Sequence, residues 1–271
     1  MKIFKNKLKL IKEIPKKKSI SFIPTMGSIH DGHLSLISRA KRVSNNILVS
    51  IYVNPKQFDS LSDFKKYPQN LAKDIKLLKK MNIKYLYIPN TEDIYSFKTK
   101  SNIYMDKFSN KLCGKFRPNH FKGVVNVVNR FLEIIKPQFI YLGMKDFQQL
   151  TLIKSHIIKN NIKTKIKICP TIRQRNGIAL SSRNRKLNKD QIKLSAKIHK
   201  YLKINKRKIL HMSLNKQKKK VISNIMKFGI KKIDYLECLN LITLKTPKSE
   251  NKKFNLFIAY YIGKIRLIDN L

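Results

Sequence analysis

Residues 47–53 read ILVSIYV, a run of apolar, mostly β-branched side chains broken by one serine. A run of this length, apolar on both faces, suits a strand buried inside a parallel sheet rather than one with a wet side. That demand brings helices with it, because parallel strands are joined by crossovers that cover the sheet. The surrounding chain supplies them. Residues 19–23 (SISFI) are expected to form a strand, followed by a loop holding glycines and histidines and a helix over about 34–43. A helix over 71–80 leads to a strand at 85–88, and further on a helix is expected at 123–135, a strand at 139–142, a helix at 149–159 and a strand ending near Ile168. The βαβα rhythm predicts an α/β fold, a Rossmann-like doubly wound parallel sheet.

After SSRN at 181–184 the rhythm changes. Two lysine-rich helical stretches, about 189–202 and 216–228, precede apolar runs at 233–239 and 254–262. This pattern predicts a small α+β domain, with residues 1–180 forming the first domain and 181–271 the second. A chain of 271 residues with 42% hydrophobic content can bury two such cores.

Charge needs separate treatment, since 60 Lys+Arg stand against 15 Asp+Glu for a net +45. Such a balance is the usual footprint of a nucleic-acid binder. Yet 50 of those basic residues are lysine and 10 are arginine. Base-reading surfaces lean on arginine's planar fork. Lysine, asparagine and isoleucine are in excess together and tryptophan is absent, which reads as A/T-biased coding and solvated lysine faces. No specific nucleic-acid partner is expected, although the field would draw small anions. The N-terminal MKIFKNKLKLIKEIPKKK never reaches an uninterrupted apolar core, so it is not read as a signal peptide, and no stretch approaches a membrane span. Cys113, Cys169 and Cys238 are too scattered for a disulfide framework or a CxxC site and read as free thiols of a reducing compartment.

The densest chemistry is PTMGSIHDGH at 24–33, where the first strand would end and a helix begin. Ligands of open α/β sheets bind outside the carboxyl ends of strands. Gly27 and Gly32 permit close backbone approach, and a helix N-terminus is expected to offer amide donors to phosphate. His30 and His33 are three apart and suit one face, where imidazole can meet charge on a transferring phosphoryl group. His156, His199 and His211 are read as structural or surface residues. VNPKQF at 53–58, GMKDFQQ at 143–149 and RQRNGIALSSRN at 173–184 follow later strands. Taken singly, each is explained as a cap, a turn or a solvated charge. Together, at successive strand ends, they point to one cleft.

These segments carry a family resemblance. PTMGSIHDGH, VSIYVNPKQF, LCGKFRPNHFKGVV, GMKDFQQL, GIALSSRN and the terminal RLIDN stand in the order and spacing of the pantoate–β-alanine ligases, from about Ser21 to Asn270. The resemblance implies a Rossmann-like adenylating domain followed by a small lid domain, in a cytoplasmic homodimer that makes pantothenate from pantoate, β-alanine and ATP with Mg²⁺. It further implies that Met26, Gly27, Ser28, Ile29, His30, Asp31, Gly32 and His33 form the ATP-binding histidine loop, with His33 as proton donor and His30 its partner at the phosphates. Gly143, Met144, Lys145 and Asp146 match a ribose- and phosphate-contacting segment, Ile172 an adenine-side backbone position, and Leu180, Ser181, Ser182 and Arg183 a phosphate-binding stretch. His33, His30, Lys145 and Arg183 would carry the catalysis. Gln57 and Gln149 match the two glutamines that bind pantoate, the first also near β-alanine. Arg117 and His120 fall in the family's RPGHF segment. Here Asn119 replaces its glycine, Asn176 a usual aspartate and Ile178 a usual leucine. No metal ligands are assigned. The competing readings are another nucleotidylyltransferase of the HxGH superfamily and, from charge alone, a basic nucleic-acid-binding module.

Overall fold

The computed structural model describes residues 1–14, 19–211, 214–247 and 254–271; the side chains of 210–215 also lie outside the description, His211 among them. The chain divides into two compact units, Met1–Ile172 and Arg173–Leu271.

In the first unit the elements follow in the order β1 (Lys2–Phe4), α1 (Lys7–Glu13), β2 (Ser21–Thr25), α2 (Asp31–Lys41), β3 (Ile47–Ile51), α3 (Leu61–Lys65), α4 (Leu71–Lys80), β4 (Tyr85–Tyr87), α5 (Thr91–Tyr95), α6 (Leu112–Phe116), α7 (His120–Ile135), β5 (Phe139–Gly143), α8 (Phe147–Lys159) and β6 (Lys165–Cys169). Among the described residues the strands form one six-stranded sheet, ordered β1-β4-β3-β2-β5-β6, with every pairing parallel. The expected doubly wound architecture is present. Every residue of β3 is buried, as its composition demands. Ile23, Val49, Leu86 and Tyr141 pack with Ile37 and Leu78 into a core between the sheet and helices α2 and α4.

Three differences from the sequence reading have local causes. The lysine-interrupted N-terminus, left unassigned, forms β1 and α1, and β1 is an edge strand of only three residues. Helix α7 begins at His120 rather than 123, directly after Asn119 turns left-handed at φ 67°. Helix α8 begins at Phe147 because a 3-10 turn over Met144–Asp146 leads straight into it.

The second unit holds α9 (Lys189–Asn205), α10 (Lys208–His211), α11 (Leu214–Lys227), β7 (Lys232–Asn240), β8 (Phe254–Ile262) and β9 (Ile265–Asn270). Its three strands form an antiparallel sheet in the order β7-β8-β9. Ile198, Leu202 and Ile225 from the helices pack on Leu236 and Ile258 of that sheet. The sequence reading set the domain change at 180; the compact units part before Arg173. Arg173 is tied into the second unit, donating to both Asp269 oxygens at 2.8 and 2.9 Å and to the Asn270 carbonyl at 2.7 Å.

Candidate active site

Four neighbouring parallel strands, β3-β2-β5-β6, end at one edge, with Thr25 opposite Ile51 and Gly143 opposite Cys169. From β2 the chain winds outward through β3 and β4 on one side, then through β5 and β6 on the other. The order reverses between β2 and β5, which makes this edge the switch point where such sheets receive ligands. The histidine loop leaves β2 there, the VNPKQF turn leaves β3, and the Met144–Asp146 turn leaves β5.

The histidine loop is held from within. Thr25 donates its hydroxyl to the Ser50 carbonyl (2.7 Å) and accepts from the Gly27 amide (3.1 Å). Gly27 and Ser28 are both left-handed, at φ 75° and 52°, and Ser28 there is unusual for a residue with a side chain. The amides of Ser28 and Ile29 donate to the two oxygens of Asp74, at 2.7 and 2.8 Å. His30 then caps α2, its Nδ1 accepting from the Gly32 amide at 3.1 Å, which leaves Nε2 as the ring's donor. The His30 and His33 rings stack with centroids 4.1 Å apart. Of the loop's amides, those of Gly27, Ser28, Ile29 and Gly32 are thus bonded to Thr25, Asp74 and His30.

Gln57 sits in a short turn, Pro55–Gln57, capped by Asn54, and is almost fully buried. The Asn54 amide nitrogen donates to Gln57 Oε1 (3.2 Å) and to the Gly123 carbonyl (3.1 Å), while Asn54 Oδ1 accepts from the Tyr95 hydroxyl (2.9 Å). Gln57 Nε2 reaches the sulfur of Met26 in the histidine loop. The Gln57 carbonyl lies 2.6 Å from His120 Nδ1 and accepts from Arg117, which also pairs with Asp59. So the RPNHF segment braces the turn that carries Gln57. Asn119 suits its place there, since asparagine tolerates the left-handed backbone better than most residues.

Past β5, Lys145 and Asp146 form an ion pair at 3.0 Å, with the lysine side chain mostly buried and the aspartate side chain about half exposed. The two adjacent glutamines of α8 separate. Gln148 is buried and donates to the carbonyls of Phe108 (2.8 Å) and Lys111 (2.6 Å), while Gln149 is only partly buried. Gln148 is consumed by packing, and Gln149 is the one left partly exposed. His156 is fully buried, facing Asn129 through Nε2 and the Tyr104 amide through Nδ1, as a structural histidine.

The second unit carries the remaining expected residues. Ser181 caps a short turn, Ser182–Lys186, by accepting from the Arg183 amide at 3.3 Å, and Ser182 is buried. Upstream, Arg173 bridges Ala179, and Gly177 is left-handed at φ 90° with His199 so close that a Cβ would meet its ring at 2.2 Å. His199 also lies 3.3 Å from Asp269. Burial pushes the Asp269 carboxyl up, but hydrogen bonds from His199 and Arg173 outweigh it and hold it below the usual range. His199, read as a plain surface or core residue, thus helps anchor the stretch that leads into Ser181–Arg183. Asn176 takes the place of an aspartate without losing its turn, because its Oδ1 accepts from the Ile178 amide at 3.2 Å. Ile172, the expected adenine-side residue, closes the first unit, and Leu180 is partly buried in the second.

Asp74, Asn54, Tyr95 and Asp269 were not singled out from the sequence. Asn54 had a visible signal, an Asx residue before proline at a strand end. Asp269 lies in the terminal RLIDN, though nothing there marks it as the partner of Arg173; Asp74 and Tyr95 had no signal, because their partners lie far along the chain.

The comparisons with known proteins converge. Residues 2–271 match the model of the family described as pantoate-beta-alanine ligase. Pantothenate synthetase of Pseudothermotoga lettingae is 38% identical over 264 residues, covering 97% of this chain and 94% of its own. The enzyme of that name from Clostridium botulinum (Type A, ATCC 19397) is 39% identical over 254 residues, 93% of this chain and 90% of its own. Among solved structures, pantoate-beta-alanine ligase from Francisella tularensis, in complex with beta-gamma ATP and β-alanine, has a TM-score of 0.85 at 37% identity, covering 100% of this chain and 97% of that one. Pantothenate synthetase from Thermus thermophilus has a TM-score of 0.91 at 29% identity, covering 100% and 99%. By the extent of these matches and the motifs they span, the chain belongs to the pantoate–β-alanine ligase family.

Proposed function

We propose that this protein condenses pantoate with β-alanine at the expense of ATP, through a pantoyl adenylate, at the switch-point edge of the first unit's sheet. What supports the reading is the stacked His30–His33 pair in a loop whose Met26 sulfur touches the braced Gln57, in a chain that matches the ligase family over residues 2–271. The β-alanine and ATP of the Francisella structure fit the same chemistry.

A carboxylate is a poor acyl donor because its leaving group is poor. In the first step a pantoate carboxylate oxygen attacks the α-phosphorus of ATP, and the bond to pyrophosphate breaks. In the second, the β-alanine amine attacks the acyl carbon of the adenylate, the C–O bond to AMP breaks, and the amine gives up a proton. No covalent enzyme intermediate is needed. The protein's part is position and charge: His30 and His33 meet the charge moving onto the phosphates, Lys145 neutralises it, and Gln57 and Gln149 bond the pantoate hydroxyls and carboxylate. Gly143, Met144 and Asp146 line the ribose side, with Ile172 toward adenine. By the family resemblance, Leu180, Ser181, Ser182 and Arg183 serve the phosphates.

Magnesium enters as part of the nucleotide. Among the described residues no group of three or more His, Cys, Asp or Glu side chains could hold a metal, and an ion that keeps several waters and binds phosphate oxygens needs no such cage. We assign the protein to the cytoplasm as a homodimer. The family resemblance supports both assignments, three buried free cysteines suit a reducing compartment, and among the described residues no helix is long and apolar enough to cross a membrane.

His33→Ala tests the reading. Pantothenate and AMP formed from ATP, pantoate and β-alanine should appear one for one in the native protein, and the variant's rate should fall by about 10²-fold or more while its circular dichroism stays native. A variant that keeps near-native pyrophosphate release would refute the assigned role. AMP transfer without amide formation in the native protein would mark a nucleotidylyltransferase instead.

A further inference from the structure

We infer that Asp74 is a positioning residue for the reaction: an internal anion that fills the amide nest of the histidine loop and so sets where His30 and His33 stand. The inference rests on the reading of that loop as the phosphoryl-transfer site. Asp74 is 1% exposed and lies in the first turn of α4, whose start is capped by Asn70 accepting from the Lys73 amide at 3.0 Å. A carboxylate there is favoured by the helix N-terminus. Its two oxygens accept from the successive amides of Ser28 and Ile29, at 2.7 and 2.8 Å, from a point 45 or 46 residues away in the chain.

Successive residues in turn conformations aim their amides to one side and form a concave anion site. With Gly27 and Ser28 left-handed, this loop builds such a concavity, and one of the chain's own carboxylates occupies it. The fit is close. A Cβ at Gly27 would stand 2.9 Å from Asp74 Oδ2 and 3.2 Å from Ile51. The next residue after Ile29 is His30, the cap of α2, and His33 stacks on it from that helix's first turn. The carboxylate therefore holds the entry into α2, and through it the height and tilt of both imidazoles. It touches neither the reacting atoms nor the substrates. A glycine-rich loop of this kind would ordinarily be credited with gripping phosphate through its amides, whereas here they grip Asp74 and the phosphates are left to side chains.

Asp74→Asn tests this in the full-length protein. The amide keeps the shape but sets an NH₂ against one backbone amide, so the loop must turn away from it. Because a 1 Å misplacement of catalytic groups lowers rates by about 10²-fold, kcat for pantothenate should fall by about that factor, with the ATP KM moving less than about threefold. In the native protein the Ser28 and Ile29 amide protons should resonate far downfield and exchange slowly, and both signals should move upfield in the variant. A merely structural aspartate would lower the melting temperature and the active fraction without this split between kcat and KM. A variant with kcat within about threefold of native, alongside an inactive His33→Ala, would overturn the inference and leave the loop's catalytic role standing. Retained activity in His33→Ala would overturn that role and the inference with it. Fast exchange of the two amides in the native protein would overturn it even if Asp74→Asn failed to fold.

Discussion

Gly123→Ala sets two effects of known size against each other. Gly123 is in the first turns of α7, where alanine would stabilise the helix by about 0.8–1.0 kcal/mol. The new methyl, however, would stand 2.1 Å from the Lys56 carbonyl oxygen, 2.6 Å from its carbon and 2.9 Å from the Gln57 Cα. Those neighbours are backbone, so no side chain can swing aside, and the turn Pro55–Gln57 must part from α7 by more than about 1 Å to restore ordinary contact. Overpacking of this kind costs about 1–3 kcal/mol, which outweighs the gain in helix propensity. The Asn54–Gly123 hydrogen bond of 3.1 Å stretches with it, and Gln57 moves away from the position that Asn54 and His120 fix. The expected result is a melting temperature lower by a few degrees and a pantoate kcat/KM lower by about 10²-fold, with the ATP KM changed little. Initial rates of AMP release at varied pantoate and varied ATP, beside a thermal melt, measure all three. A variant with native pantoate kcat/KM and a raised melting temperature would show that propensity wins and that the α7 contact does not place Gln57.

Gln57→Ala and Gln149→Ala should each raise the pantoate KM by at least about tenfold more than the ATP KM, since a site built to bond hydroxyls discriminates through them; equal changes for both substrates would refute the assignment. His156 gives a pH prediction. Burial pushes its imidazole below the usual value, opposed by the Glu133 charge, and its Nδ1 accepts from the Tyr104 amide. The unfolded chain therefore binds the proton first, so this contribution to stability is complete above about pH 6.5 and is lost as the pH falls below it. The melting temperature should drop more steeply from pH 7 to 5 in the native protein than in His156→Gln, and parallel slopes would exclude the effect.

The sheet was legible because its strands announce themselves: β3 is apolar throughout and entirely buried, and β2 and β5 end where glycine, proline and polar residues begin. What escaped was short or long-range. β1 reads as lysines alternating with apolar residues, which fits a solvated tail as well as a three-residue edge strand. The break in composition falls after SSRN, whereas the compact units part before Arg173, which is tied to Asp269 across 96 residues. The histidines, glutamines and Lys145 could be found by their places at strand ends. The groups that hold them could not. Asp74 stands among lysines in an amphipathic helix, where an aspartate normally faces water, and only the folded chain turns it inward.

That difference bears on how the site meets the charge of ATP. Four amides of the histidine loop are bonded internally, which leaves fewer backbone dipoles there to answer the phosphate's charge. In the proposed mechanism it falls to side chains: the imidazoles of His30 and His33, the ammonium of Lys145 and, by the family resemblance, Ser182 and Arg183. A net charge of +45 adds to this only at a distance. Solvated lysines raise the local concentration of anions, an effect that fades beyond about 8–10 Å at ordinary salt. Salt should therefore slow the capture of ATP and pantoate much more than the chemical step. What sets Lys145 apart from the solvated lysines is its place at the end of β5, beside Asp146, with its side chain mostly buried.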